Sequence, residues 1–488
     1  MILYGYFYSV INGGIIAIMN DMNPRRTQTV KNLYTGLSNF ILTLGVSLVF
    51  YYTWIEFLNP LQLDPYWWGG NLVMLLVYVV FTIMTIHTFN GYKIGRARKG
   101  SLAIGLALSL FILDVIFALL TMMIVGIRSY VDDIILYLLV CFAVQTLFSF
   151  LYTILFTNLY RRIFPPHLIL EVYGDYTNNL KHKMNRRRDK YKITKSIHYS
   201  TSLEEIDKKM ADFDAVLIND IPSEYKDKIL KICFDQGKRV YFTPKLSDII
   251  VRSSSELNLF DTPIYYSRNL QMSPFDLVVK RFFDIVFSLI GIILTSPIMA
   301  VVAIMIKSYD GGPALYSQNR CTTNGRIFRI YKFRSMIVNA EGKKGGARLA
   351  TENDPRITPI GKFIRATRID EIPQFFNILK GDMSLVGPRP ERPEIVMQYE
   401  KEIPEFSFRM HVKAGLTGYA QVYGKYNTTN LDKLKLDMIY VMKASLLLDF
   451  KLILQTIKVI FQKESTEGLE QGQTTASVGH NDNKSAEK

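Results

Sequence analysis

Cysteine and histidine are scarce in this 488-residue chain, which has 3 cysteines and 6 histidines. Cys141, Cys233 and Cys321 lie far apart, and no histidine accompanies them at ligand spacing. A disulfide-stabilised secreted domain or a structural zinc site would need cysteines paired at short, regular intervals. Neither class is indicated, and we interpret the cysteines as buried or incidental thiols of a protein in a reducing compartment.

The sequence also lacks a recognisable cleavable signal peptide and an acidic charge balance. Its apolar start, residues 4–19, is interrupted by Gly13 and Gly14 and is left unassigned. Lysine and arginine outnumber aspartate and glutamate by 58 to 43, which gives a net charge of +15. Such a surplus suits nucleic acid, an anionic membrane surface or phosphate-bearing substrates. The long apolar runs make nucleic acid the weakest of these partners, and we expect none.

Four apolar runs approach or exceed the ~20 residues that a helix needs to cross the hydrocarbon core of a bilayer. They are residues 37–54, 72–89, 102–127 and 134–159. Buried helices of a soluble protein are the alternative, but four runs in close succession favour a four-helix transmembrane bundle. Basic residues cluster before the first run, between the second and third, and after the fourth. By the positive-inside rule, both chain ends are cytoplasmic.

The composition between residues 165 and 272 is that of a soluble domain. We predict strands at 168–173, 215–218 and 239–242, and helices at 203–210 and 224–233. This alternation indicates a parallel α/β sheet. A dinucleotide-binding fold would need a glycine-rich turn after its first strand, whereas this turn has a single glycine, Gly174. We predict a degenerate Rossmann-like domain with a structural or regulatory role, nucleotide binding being the minor alternative.

A fifth apolar run, residues 285–306, is long enough to span a bilayer but has basic residues on both flanks. Ser296 and Pro297 lie at its centre, where a proline removes a backbone donor and clashes with the preceding turn. Hydropathy alone slightly favours a kinked full span. A crossing would separate the basic motifs downstream from cytosolic substrates, so we predict a re-entrant helix-break-helix over residues 281–306.

Basic residues recur beside prolines and glycines in the region that follows. The motifs are Gln318-Asn319-Arg320, Lys332-Phe333-Arg334-Ser335-Met336, Asp354-Pro355-Arg356-Ile357-Thr358, Gly361-Lys362-Phe363-Ile364-Arg365, Arg368, and Gly387-Pro388-Arg389-Pro390. Prolines and glycines fix the direction of the backbone, which a solvated surface does not need. Planar, bidentate guanidinium groups held in this way suit a site that grips phosphate oxygens.

Asp370 and Glu371 form the only acidic pair among these motifs. Pro373 is tolerated in the first turn of a helix, so we predict a helix that begins near Asp370 and ends at Lys380. In one interpretation Asp370 is a helix N-cap. In the other, the helix dipole and the arginines keep Asp370 ionised so that it attacks phosphorus, while Glu371 positions it, manages a proton or holds magnesium. The pair alone favours the cap, and the surrounding motifs favour catalysis.

With these motifs the sequence closely resembles the bacterial sugar transferases, the monotopic polyprenyl-phosphate phosphoglycosyl transferases, over roughly residues 280–466. The resemblance includes Lys280-Arg281 followed by Asp284, the Ser-Pro pair, Asp-Glu-Ile-Pro-Gln and Gly415-Leu416-Thr417-Gly418. Ala414 stands where many members have proline. Four spans and a degenerate α/β domain before the catalytic module are typical of the large branch that initiates capsule and exopolysaccharide synthesis.

The resemblance implies a two-step transfer. Asp370 would attack the sugar-linked phosphate of a UDP-sugar, expel UMP and hold the phosphosugar until undecaprenyl phosphate accepts it. Glu371 would assist, and Asp370 and Glu371 would hold Mg²⁺. The expected phosphate-binding residues are Lys280, Arg281, Arg320, Lys332, Arg334, Arg356, Arg365, Arg368 and Arg389. Among them Arg356, beside Asp354, is the best candidate for a purely structural role.

The sequence therefore predicts a multi-pass protein of the bacterial plasma membrane with an α/β catalytic domain on the cytoplasmic face. The expected domains are a cytoplasmic segment 1–36, the bundle 37–164, the Rossmann-like domain 165–272, the catalytic domain 273–463 and a disordered tail 464–488. A non-catalytic scaffold of polysaccharide assembly and a glycosyltransferase that moves the sugar alone are the alternatives. The motifs do not choose the sugar, although the resemblance favours galactose or glucose. The middle domain is a candidate for self-association.

Overall fold

The computed structural model describes residues 24–126, 130–175, 178, 180–257, 261–267, 272–338, 354–425 and 428–461. The chain divides after Thr243 into two compact units, and the second begins at Pro244. The unassigned start, residues 4–19, and the predicted tail, residues 464–488, lie outside the described residues.

Four long helices open the first unit: α1 (Pro24–Thr53), α2 (Trp68–Thr88), α3 (Lys99–Val125) and α4 (Val131–Ile163). A π-helical turn, Trp54–Leu58, extends α1. Buried apolar side chains from all four helices form one cluster, in which the rings of Phe50 and Tyr78 stack with centroids 3.7 Å apart. Each predicted span lies largely on one of these helices, and each helix is long and apolar enough to cross a membrane.

Apolar side chains also cover the outside of the four helices. Phe40, Val80, Leu119 and Leu147 are all more than half exposed, with values of 62%, 54%, 60% and 60%. A helix of a water-soluble bundle would carry polar residues on its outer face. Helices that are apolar all round, with every backbone group bonded within the helix, suit a lipid environment. The chain is therefore a membrane protein.

A four-stranded parallel sheet with the order β2-β1-β3-β4 completes the first unit. Its elements are β1 (His167–Tyr173), α5 (Leu180–Asn185), β2 (Tyr191–His198), α6 (Leu203–Met210), β3 (Ala215–Asn219), α7 (Ser223–Asp235) and β4 (Arg239–Phe242). Every residue of the central strand β3 is buried. The predicted α/β alternation is confirmed, including all three predicted strands and both helices.

Gly174, at the end of β1, packs closely against the loop after β3. A Cβ atom at this position would lie 2.1 Å from the carbonyl oxygen of Asp220. This single glycine is required by the close approach of two backbone segments, which agrees with a structural role for the turn.

The second unit combines short strands with helices. Its elements are α8 (Leu246–Arg252), β5 (Ser255–Leu257), β6 (Ile264–Tyr266), α9 (Pro274–Asp310), β7 (Leu315–Cys321), β8 (Ile327–Phe333), α10 (Pro359–Ala366), α11 (Gln374–Lys380), β9 (Ser384–Val386), α12 (Pro393–Glu402), β10 (Gly415–Thr417), α13 (Tyr419–Tyr423), α14 (Asn430–Lys443) and α15 (Leu446–Ile460). Strands β7 and β8 form an antiparallel hairpin, and β9 pairs with β10 in parallel. Helix α8 packs within this unit, where Ile249 joins an apolar cluster with Val396 and Phe406.

Helix α9 runs without interruption for 37 residues and includes Pro297. The predicted break at Ser296-Pro297 is therefore not present in the structure. Pro297 has no N–H to bond the carbonyl of Ile293, four residues earlier. The hydroxyl of Ser296 donates to that carbonyl at 2.8 Å, and Thr295 donates to the carbonyl of Gly291 at 2.7 Å. The Ser296 hydroxyl thus replaces the missing amide and allows the helix to continue.

Candidate active site

Asp370 and Glu371 lie on one 3-10 turn, Ile369–Glu371, between α10 and α11. Arg368, which precedes the turn, has φ +57°, a left-handed conformation that is strained for a residue with a side chain. Helix α11 begins at Gln374 and ends before Gly381, whose φ of +94° closes it as expected. The strained residue turns the chain sharply just before the two carboxylates.

Neither carboxylate caps α11. Its N-cap residue is Pro373, and no side chain accepts a hydrogen bond there. The 3-10 turn that contains Asp370 and Glu371 is not capped by a side chain either. The interpretation of Asp370 as a helix N-cap is therefore wrong, because the regular helix begins four residues after it.

Glu371 is buried and gathers three cations. Its Oε1 accepts hydrogen bonds from Lys332 Nζ at 3.1 Å and from Arg389 Nη2 at 2.8 Å. Its Oε2 lies 3.8 Å from Arg368 Nη1. Burial raises the pKa of Glu371, but the charges of Arg389, Lys332 and Arg368 outweigh burial and hold that pKa well below its usual range. Glu371 therefore stays ionised and fixes three cationic side chains in one place.

Asp370, its neighbour, is in the opposite situation. It is half-buried, and its carboxylate makes no hydrogen bond or ion pair with any residue in the described part of the chain. Burial raises the pKa of Asp370, and the negative charge of Glu371 acts in the same direction, against Lys332, Arg389 and Arg365. The sequence led us to expect that the cations act on Asp370, but their contacts are with Glu371. Asp370 is left with unengaged oxygens and enhanced basicity, both of which suit a nucleophile.

Lys332 reaches Glu371 because strand β8 is fastened to helix α11. The link is Asn377, a fully buried residue of α11. Its Oδ1 accepts the backbone N–H of Tyr331 at 2.9 Å, and its Nδ2 donates to the carbonyl of Arg329 at 2.8 Å. No motif of the sequence includes Asn377. Its signal was an amide within an apolar helical segment, since a buried polar side chain requires partners.

Arg389 is presented by the loop at residues 387–390. Gly387 allows this loop to approach the neighbouring backbone, since a Cβ there would lie 2.1 Å from the carbonyl oxygen of Lys413. Arg409 is buried, donates to the carbonyl of Arg389 at 2.9 Å and lies 2.7 Å from Asp437. Arg409 and Asp437 thus support the loop that carries Arg389. Neither residue was predicted, because both lie outside the sequence motifs.

Lys280 and Arg281, two of the predicted phosphate-binding residues, anchor the start of α9. Lys280 pairs with Asp449 and donates to the carbonyl of Val386 at 3.1 Å. Arg281 donates to the carbonyls of Ile378 and Leu379, at 2.6 and 2.8 Å, and so caps the end of α11. Both side chains attach α9 to neighbouring elements of the second unit.

Asp284, one turn further along α9, joins the same anchor. Its Oδ1 accepts from the hydroxyl of Ser384 at 3.1 Å and from the backbone N–H of Leu385 at 2.9 Å. The Lys-Arg-x-x-Asp segment of the sequence is therefore a docking element for strand β9.

Three further predicted residues also have partners outside the acidic pair. Arg334 forms a two-pronged ion pair with Asp310, the last residue of α9. Arg356 lies 2.6 Å from Asp354, which agrees with the structural role expected for it. Arg320 donates to the carbonyl of Pro390 at 3.2 Å and so braces the loop of Arg389. The structure therefore gathers Lys332, Arg368 and Arg389 at the acidic pair and places Arg365 within electrostatic reach of Asp370.

The expected Mg²⁺ can be tested against these donors. Mg²⁺ binds one or two carboxylates and takes its other oxygens from substrate phosphates and water. The described residues include no group of three His, Cys, Asp or Glu side chains that could cage a metal. Both oxygens of Glu371 face cations, whereas Asp370 offers an unengaged oxygen. Asp370 therefore fits as a single protein ligand for a metal that also binds phosphates.

Comparison with known proteins agrees with this site. Residues 275–463 match the family described as Bacterial sugar transferase. The chain is 36% identical to the UDP-N-acetylgalactosamine-undecaprenyl-phosphate N-acetylgalactosaminephosphotransferase of Aeromonas hydrophila, over 62% of this chain and 68% of that protein. It is 32% identical to the UDP-glucose:undecaprenyl-phosphate glucose-1-phosphate transferase of Klebsiella pneumoniae, over 60% and 62% of the two chains.

A third relative, the galactosyl transferase CpsE of Streptococcus agalactiae, is 48% identical over 38% of this chain and 42% of its own length. The relatives differ in the sugar that their names give. The matched region contains the acidic pair and every cation gathered around it. The expected family and enzyme class are confirmed, and the chain belongs to the bacterial sugar transferase family.

Proposed function

We propose that the protein transfers a sugar 1-phosphate from a UDP-sugar to undecaprenyl phosphate and releases UMP, as a first membrane step of capsule or exopolysaccharide synthesis. One observation carries the proposal: three cations bind Glu371, while the adjacent Asp370 keeps its oxygens unengaged. A carboxylate of this kind beside fixed positive charges suits attack on phosphorus. The relatives named as undecaprenyl-phosphate sugar transferases support the choice of substrates.

The reaction proceeds in two displacements. In the first, a carboxylate oxygen of Asp370 bonds to the sugar-linked phosphorus, and the bond from that phosphorus to the bridging oxygen breaks. UMP leaves with the electron pair, and the phosphosugar remains on Asp370 as an acyl phosphate. In the second, an oxygen of undecaprenyl phosphate bonds to the same phosphorus and the Asp370 carboxylate is restored.

The fixed cations stabilise the charge that develops on the phosphate oxygens in both displacements. Lys332, Arg368 and Arg389 are held by Glu371 before substrate arrives, so little reorganisation is needed at the moment of reaction. Arg365 makes no ion pair in the described part of the chain, which leaves its guanidinium available to a substrate phosphate. Mg²⁺, when bound by Asp370 and the diphosphate, would screen the charge of the donor.

Helix α9 supports a re-entrant placement in the membrane. Its start is bound to the catalytic domain through Arg281, and its end is bound to the same domain through Asp310 and the apolar cluster around Ile306. Only 11% of its most apolar window is buried, against at least 28% for α1 to α4. A helix that crossed the bilayer would have its two ends on opposite sides of the membrane. One charged domain, which lies on a single side, could not contact both ends. We infer that both ends of α9 face the cytosol and that α9, while one continuous helix, bends at Pro297 within one leaflet.

Cysteine labelling tests this placement. Phe275→Cys and Tyr309→Cys introduce thiols at exposed positions near the two ends of α9. In inside-out vesicles, a membrane-impermeant maleimide should label both variants, and wild-type protein, whose three cysteines are buried, is the control. Labelling of one variant only would show that α9 crosses the bilayer.

The nucleotide product separates the proposed reaction from its alternatives. Purified full-length protein with undecaprenyl phosphate and UDP-galactose, UDP-glucose or UDP-N-acetylgalactosamine should release UMP with at least one donor. Release of UDP would show that the sugar moves alone, and folded protein without turnover on any donor would favour a scaffold. With donor but no lipid acceptor, mass spectrometry should find a phosphosugar on the peptide that contains Asp370. Failure to trap this adduct on turning-over enzyme would contradict the covalent step.

A further inference from the structure

The first unit carries a second group of cations, which we name the junction cluster because its members come from the helices and from the sheet. It consists of Lys31 on α1, Arg96 between α2 and α3, Lys190 before β2, and Arg239 and His167 at the starts of β4 and β1. Lys31 Nζ and Arg239 Nη1 lie 3.0 and 2.8 Å from the same atom, Nε2 of His167. Two cations thus converge on one imidazole nitrogen.

The positive charge of the junction cluster is only partly offset by Asp214, whose negative charge acts on Lys31 and His167. Within the described residues, Lys31, Arg96, Lys190 and Arg239 form no ion pair with a carboxylate. Two aspartates lie nearby, but both have other partners. Asp189 is bound by Arg187 and Arg161, and Asp214 accepts the backbone N–H of Leu168 at 2.9 Å.

The environment of the junction cluster reflects this surplus. Burial lowers the pKa of His167 to about 4, and the charges of Lys31 and Arg239 act in the same direction. Burial also lowers the pKa of Lys190. The neighbouring arginines act in the same direction, and Tyr241 acts in the opposite one. A bound anion would relieve the repulsion between these groups.

The position of the junction cluster matches the depth of lipid headgroups. Lys31 precedes the first predicted span by six residues, which is about 9 Å along a helix. Arg96 lies on the loop between two spans, and the side chains of Tyr160 and Tyr191 lie within electrostatic reach of it. Tyrosine is enriched at membrane interfaces, and basic pockets beside membrane helices recognise anionic headgroups.

We propose that the junction cluster binds the phosphate of an anionic lipid headgroup. A phosphate supplies several acceptor oxygens, which lysine and arginine donors can share in charge-assisted hydrogen bonds. The donors belong to both the helical bundle and the α/β sheet, so one headgroup contacts both. The site thereby fastens the middle domain to the membrane surface and makes its attachment depend on lipid composition.

Lipid binding by two charge-matched variants tests the proposal. The double variant Arg96→Gln/Lys190→Gln removes two cations of the junction cluster, and Lys208→Gln/Lys228→Gln removes two exposed cations from α6 and α7. Native mass spectrometry of full-length protein with phosphatidylglycerol should show about 30-fold weaker binding to the first variant. The second variant should bind like wild type, and phosphatidylcholine should bind neither tightly.

Three outcomes would overturn the proposal. Wild-type affinity for phosphatidylglycerol in Arg96→Gln/Lys190→Gln would show that the junction cluster does not bind the lipid. Equal losses of affinity in the two double variants would show a general effect of charge. Displacement of phosphatidylglycerol by inorganic phosphate at the same concentration would identify a soluble phosphate as the ligand instead of a lipid. The single variant Arg96→Gln, altered at an exposed side chain, serves if the double variant does not fold.

Discussion

Glu371→Gln should destabilise the protein and Asp370→Asn should not, although each removes one negative charge from adjacent residues. Glu371 is buried and contacts Lys332 and Arg389 directly. Removal of one member of a buried ion pair leaves uncompensated charge and costs about 3–5 kcal/mol. The neutral amide introduced by Glu371→Gln would leave these two cations, and Arg368 beside them, without the carboxylate that contacts them.

The pKa directions give the sign of each effect. The pKa of Glu371 is lower in the folded than in the unfolded protein, so its charge stabilises the fold above the unfolded pKa. That contribution is fully present at pH 7 and is lost only as pH falls through the folded pKa. The pKa of Asp370 is raised, so the fold disfavours its charge at pH 7. Asp370→Asn should therefore be as stable as wild type or more so.

Thermal unfolding and UMP release, measured on the same detergent-solubilised samples, test this contrast. Glu371→Gln should lower the unfolding temperature by about 6–20 °C, from the cost above and a domain of this size. Asp370→Asn should keep the wild-type unfolding temperature and lose about 10³-fold or more of the rate. Glu394→Gln, at an exposed position of α12, is the control. Equal destabilisation by the two variants would refute the assignment of the cations to Glu371.

Three further predictions follow from the same contacts. The rate should fall at acidic pH with an apparent pKa above the ordinary aspartate value, because the proposed nucleophile is ionised Asp370 and its pKa is raised. Glu371→Gln removes a negative charge that raises the Asp370 pKa, so the pH–rate profile of its residual activity should fall at lower pH. Asn377→Ala should lower stability by about 2–3 kcal/mol in denaturant titrations, since it leaves two backbone groups of β8 without partners, and an unchanged midpoint would contradict this role. Arg365→Gln should raise the KM for the UDP-sugar about tenfold. The control is Arg356→Gln, which should keep a KM near that of wild type because the Arg356 guanidinium is already bound by Asp354. Similar KM values in the two variants would show that Arg365 does not contact the donor.

The long apolar segments and the buried strands could be predicted because their signals are local. Strand β3 is a continuous apolar run, and β1 contains a short apolar run. Both strands could therefore be located from the sequence alone. Strand β2 was missed because lysines interrupt its apolar residues, and only Ile193 and Ile197 of its eight residues are buried. Helix α11 was predicted from Pro373 and Gly381, although its first turn begins after the acidic pair.

The pairing of charges could not be predicted, because it depends on residues distant in sequence. Lys280 pairs with Asp449, 169 positions away, and no motif indicates this contact. The prolines and glycines beside the arginines showed that the backbone is rigid there, but not which acid each arginine meets. The predicted break at Pro297 was wrong for a similar reason. The prediction followed from the amide that proline lacks, whereas the Ser296 hydroxyl bonds the carbonyl in its place.

In the proposed membrane placement, helix α9 would also set the depth of the acidic pair relative to the bilayer. Arg281 holds the end of α11, and the beginning of α11 follows the reactive carboxylates, so a rigid connection runs from the apolar helix to Asp370. One extra residue between Asp284 and Gly291 would shift the rest of α9 by about 1.5 Å along its axis and rotate it by about 100° relative to Arg281. Under the proposed mechanism, the length of an apolar segment that touches no substrate would therefore determine how far Asp370 stands from a phosphate carried by a lipid.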